Sequence, residues 1–103
     1  MPLYSVFCLD HPPHAMAKRD AVRTEHRAYV KANDAPIRFV GVCSDDDGNQ
    51  CSSFYIFEAE NEQEVRDWFA EEPFAKTGVY QHLIVREFML GLNRLAGQGW
   101  PGG

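Results

Sequence analysis

IRFVGVCSDDDGNQCSSFYIFEA, residues 37–59, sets two apolar runs on either side of a polar one. Its flanks, IRFVGVC (37–43) and SFYIFEA (53–59), are rich in β-branched and aromatic residues, the composition of strands. Between them SDDDGNQ (44–50) is built from residues that tolerate left-handed backbone, with Gly48 the natural site of positive φ. The segment therefore reads as a β-hairpin. Its DDDG run lacks the alternate-position ligands and the distal glutamate of a calcium loop, so it reads as a solvated turn.

On the N-terminal side, NDAP (33–36) closes a helix, because the residue before Pro36 is pushed out of the α region. Residues 15–33 carry helical periodicity, and LYSVFCL (3–9) upstream is a strand that Pro12 and Pro13 terminate. On the C-terminal side, NEQEVRDWFAEEP (61–73) opens with Asn61 placed to cap a helix and Glu64 placed to reach back. Val65, Trp68 and Phe69 form the buried face of that helix, and Pro73 follows its end. VYQHLIVREF (79–88), after the break at Gly78, is a last strand. With right-handed crossovers this order gives an α+β, ferredoxin-like βαββαβ domain: a four-stranded antiparallel sheet with two helices on one face. The domain occupies residues 1–90, and residues 91–103 form a Gly-rich C-terminal tail that is either disordered or docked through Trp100 on the body or a partner.

The other sheet face is also apolar, since Leu3, Phe7 and Leu9 alternate with Tyr4, Val6 and Cys8. The simplest cover is a second copy, giving a homodimer with sheets packed face to face, a dimeric α+β barrel. A chain of 103 residues with 45% hydrophobic content supports one core. Its net charge of −5, without a clustered basic face, argues against nucleic acid and anionic membrane surfaces. No apolar run approaches the roughly 20 residues of a membrane span, and the N-terminus has no basic region leading into an apolar one, so a cytoplasmic location is expected. Cys8, Cys43 and Cys51 are odd in number and lack paired short spacing, which reads as reduced thiols, mostly buried, with no structural metal. HPPH (11–14) reads as a surface loop in preference to a metal site. No phosphate-binding glycine loop or serine elbow is present, so no cofactor is indicated.

Two titratable residues interrupt the apolar stripes. In VRTEHRAYV (22–30), Val22, Tyr29 and Val30 mark one helical face, and His26 falls in its middle, where leucine would pack better. Stepping from Val65 through Trp68 and Phe69 lands on Glu72. An imidazole oriented by a carboxylate is the basic unit of general acid–base catalysis. Asp10 at the end of the first strand and Arg23 on the side of His26 could converge there to bind an anionic or phenolic group.

LYSVFCLD, AVRTEHRAYV, DDDGN, FYIFEAENEQEVRDWFAEEPFAKTGVY and HLIVREF, in this order and spacing, resemble the YciI-like, or YCII-related, domain from about residue 2 to residue 88. The resemblance implies the ferredoxin-like fold and the dimeric α+β barrel superfamily. It also implies an active site made from a helix-one histidine, which matches His26, and an aspartate before a Pro-aromatic pair. At that position this chain departs from the pattern: EEPF places Glu72 there, with about 1.5 Å of extra reach. The implied function is acid–base chemistry, isomerase- or lyase-like, on a small cyclic or aromatic compound. The competing class is a non-catalytic, dimeric ligand-binding or accessory domain.

Overall fold

A computed structural model describes residues 1–95, 97, 99 and 100. The order is β1 (Leu3–Asp10), α1 (Met16–Ala32), β2 (Ile37–Ser44), β3 (Gln50–Glu58), α2 (Glu62–Ala70), α3 (Pro73–Lys76) and β4 (Tyr80–Phe88). The four strands form one antiparallel sheet in the order β2-β3-β1-β4. This is the ferredoxin-like arrangement expected from the sequence. Residues 96, 98 and 101–103 of the tail lie outside the described residues.

The hairpin closes as its composition requires. Gly48 adopts φ 83°, and Asp45 Oδ1 accepts from the backbone N–H groups of Asp47 and Asn49, both at 2.9 Å. At the start of α2, the Asn61 side chain accepts from Glu64 N–H at 3.0 Å, while Glu64 reaches back to Glu60 N–H at 3.3 Å.

The helices cover the sheet face that carries Val6, Cys8, Tyr55, Phe57 and Val85, which pack with Val65 and Phe69 from α2 into one core. Trp68 is only half-buried at the edge of this core, where its indole donates to Asn33 O at 2.8 Å. The opposite face leaves Phe7 43% and Phe39 40% exposed, with Phe54 between their rings at 4.9 and 6.0 Å. Only Cys8 of the three cysteines is buried, because Cys43 and Cys51 lie on the outer hairpin, beyond the helices. Among the described residues no helix is long and apolar enough to cross a membrane.

One element was not expected. Helix α2 ends at Ala70, so Glu72 does not continue its stripe. Glu72 is instead the N-cap of α3, with extended backbone (φ −76°, ψ 125°) and Pro73 in the first turn. Proline there removes only an N–H that no helical carbonyl could have accepted. Gly78, at φ 82°, turns the chain into β4.

Candidate functional site

Glu72 is fully buried, and its burial is made tolerable by three donors. Oε1 accepts from Phe74 N–H at 3.1 Å and Oε2 from Ala75 N–H at 3.0 Å, the N-cap bonds of α3. His26 Nδ1 donates the third hydrogen bond, to Oε1. The imidazole lies flat on Phe74, with centroids 3.7 Å apart and planes within 5°. An ionised carboxylate only accepts, so this bond places the proton of a neutral imidazole on Nδ1 and the lone pair on Nε2. Nε2 has no hydrogen-bond partner among the described residues. His26 keeps 17% of its side chain exposed, against 0% for Glu72, so the pair has a sealed end and an open one.

The open end faces a cleft of about 240 Å³ between α1 and the β2–β3 hairpin. Arg23, Arg27, Val42, Tyr55 and Trp100 line it with His26. Arg23 is held at its wall by Gln50 Oε1 at 2.8 Å and Asp20 Oδ1 at 2.9 Å. The structure thus brings His26, Glu72 and Arg23 together. Asp10 stays out of the cleft lining: it is 6% exposed, and both its oxygens accept from Arg19, at 2.7 and 2.9 Å. Arg19 lines the cleft in its place and also donates to Ser53 Oγ at 3.2 Å.

Arg19 was missed by the sequence reading although a signal existed. It lies seven residues before His26, on the same helical face, and its guanidinium stacks 5.0 Å over Phe74. Burial, the largest single influence, disfavours its charge, but the hydrogen bond to Asp10 and the Asp10 charge, with smaller contributions from Tyr80 and Cys8, together outweigh it, so its pKa is raised overall. Burial pushes up the Tyr55 phenol and, further below the cleft, the Cys8 thiol, with the Glu72 carboxylate the second cause for both. Burial likewise pushes the Tyr80 phenol well up, and its hydroxyl donates to Ser53 Oγ at 3.2 Å. These groups are neutral through the physiological range.

His14 of the HPPH loop has a local task, since its Nδ1 accepts from Met16 N–H at 3.3 Å where Ala15 offers no side-chain cap.

Fold and cleft define a ferredoxin-like α+β domain with a histidine–carboxylate pair at the wall of a small hollow. The chain belongs to the YCII-related domain family, which it matches over residues 3–89. It is 32% identical over 94 residues, 84% of this chain and 96% of the relative, to an uncharacterized protein of Haemophilus influenzae. Among solved structures it is similar to a 5-chloro-2-hydroxyhydroquinone dehydrochlorinase from Burkholderia phenoliruptrix AC1100 in complex with 2,5-dihydroxybenzoquinone. That likeness has a TM-score of 0.74 and 29% identity, over 86% of this chain and 95% of the other. A candidate antibiotic biosynthesis monooxygenase from Bacteroides thetaiotaomicron shares the fold, with a TM-score of 0.55 and 13% identity over 94% and 95% of the two chains.

Proposed function

We propose that this protein is a cofactor-independent acid–base enzyme acting on a small cyclic or aromatic compound, with His26 as the proton carrier and Glu72 as the residue that orients it. The observation that carries the reading is the division of labour on one imidazole: Nδ1 is bonded to a sealed carboxylate, and Nε2, beside a cleft, has no partner among the described residues. In that tautomer Nε2 can take the proton of a ring hydroxyl, leaving the electron pair on oxygen as a phenolate, and return the proton to a ring carbon. The net change is a keto–enol isomerisation and requires no oxidant. Where the ring carries a halide, loss of a proton from the keto form with expulsion of halide makes the same pair a lyase. The likeness to a dehydrochlorinase holding a dihydroxybenzoquinone supports a ring of that size and polarity. Arg23 supplies positive charge near a phenolate oxygen. Asp10 contributes indirectly, by fixing Arg19. The working unit is a homodimer joined through the open sheet face.

Turnover of a panel of chlorinated and unchlorinated hydroquinones, phenols and lactones tests this reading. The expected result is activity on at least one hydroxylated ring that falls by about 10²–10⁴-fold in His26→Gln. Ring binding without turnover would leave a ligand-binding domain, and turnover undiminished in His26→Gln would remove the proposed mechanism.

A further inference from the structure

Trp100 lies beyond the matched domain, which ends at residue 89, yet the structure seats it beside His26. Its indole donates to Asp34 Oδ2 at 2.9 Å, and Lys31 Nζ stands 5.8 Å from the ring centroid. Gly99 just before it adopts φ 125°, a backbone angle that L side chains rarely take, so the approach of the chain to this seat is specific to glycine. Two adjoining hollows, of about 240 and 80 Å³, share His26, Arg27, Val40, Tyr55 and Trp100 in their walls. The indole is thus common to both, and Val40 and Tyr55 belong to the sheet that forms the floor. Arg27, exposed on α1 at the same rim, has no hydrogen-bonding or ion-pair partner among the described residues.

We propose that Trp100 is a substrate-binding residue supplied by the C-terminal tail: its ring packs against an aromatic ligand beside His26 while Arg27 meets an ionised oxygen on that ligand. The ligand class is a small aromatic or quinonoid anion. The proposal rests on the small-molecule reading of the cleft and adds a contact outside the family domain. An indole offers a large rigid face at little entropic cost, and a guanidinium at the rim of an otherwise acidic chain selects for negative charge.

The experiment is calorimetric titration with 2,5-dihydroxybenzoquinone at neutral pH, where this probe is ionised, on the full chain and on Trp100→Ala, Trp100→Phe and Arg27→Gln. Indole N–H resonances of Trp68 and Trp100 are followed in parallel, assigned through Trp100→Phe. Expected are binding weakened about tenfold in Trp100→Ala, largely recovered in Trp100→Phe, and weakened several-fold in Arg27→Gln, with the Trp100 resonance shifting more than that of Trp68. Since Trp100 is at the surface of the fold, unchanged melting temperatures are expected for its variants. Binding that is equal in Trp100→Ala, with a silent Trp100 resonance, would overturn the inference and leave the proposed enzyme intact. A Trp100-dependent complex with no turnover of any ring would uphold the inference and defeat the enzymatic reading. Failure of the probe to bind the full chain at millimolar concentration would overturn the inference, while the turnover panel still decides the enzymatic reading independently.

Discussion

His26 stands where apolar periodicity alone favours leucine, and on that ground His26→Leu should be tolerated by the fold. The buried carboxylate reverses this expectation. Leucine would leave Glu72, 0% exposed, with only two backbone donors, at a cost of about 1–3 kcal/mol. Glutamine can donate to Glu72 through its amide and should stay within about 1 kcal/mol of the parent, yet it cannot act as the base. Thermal melts of the two variants check this, and equal stability would show that Glu72 does not depend on His26. Periodicity made His26 legible as an anomaly, and the same face contained Arg19, seven residues earlier. Periodicity alone does not single out Arg19, since an arginine on a helix is usually solvated, and only the bulk of Phe74 and the Asp10 carboxylate make its burial possible. A pH dependence also belongs at this scale. Cys8, Tyr55 and Tyr80 have raised pKa values in the folded chain, so above about pH 8.5 for the thiol and about pH 10 for the phenols only the unfolded chain releases these protons. Stability contributed by these groups is therefore full below pH 8.5 and falls as pH rises. Denaturant melts at pH 7.5 and 10 should show the decline, with a smaller slope in Cys8→Ala; a flat profile would contradict their burial as neutral groups.

The least legible element is α3, four residues long and too short to show a period. Its effect is large because it moves Glu72 from the end of α2 to an N-cap, where one carboxylate satisfies two backbone amides and the imidazole. The longer side chain, in place of the aspartate implied by the family resemblance, is accommodated by this geometry. Glu72→Ala should cost about 2–4 kcal/mol, combining loss of the cap with stranded donors, while Glu72→Gln keeps the backbone acceptor and should cost less. Chemical denaturation orders the two, and an alanine variant as stable as the parent would refute the cap. By contrast the hairpin, α2 and the strands were legible to within a few residues, since turn chemistry at Asp45 and Gly48 and the Asn61 cap are local signals. The bond from His26 to that cap depends on where α1 sits, which no local window contains.

At the scale of the whole molecule, the alternation in β1 that made both sheet faces apolar is visible in the exposed Phe7 and Leu9, at 43% and 37%. A face of this kind is expected to be covered by a second copy burying about 1,200–2,000 Å² in total. Sedimentation at micromolar concentration should give a dimer, and Phe7→Glu a monomer; a parent chain that sediments as a monomer would rule out the barrel. On the proposed function the fold seals one nitrogen of His26 against a carboxylate and leaves the other as a base beside a ligand cleft. Long-range ¹H–¹⁵N spectra of the His26 ring at pH 8, with and without 2,5-dihydroxybenzoquinone, test it most directly. Expected are a protonated Nδ1 and an unprotonated Nε2 whose resonance moves on ligand addition; a proton on Nε2, or a ring indifferent to saturating ligand, would contradict this assignment.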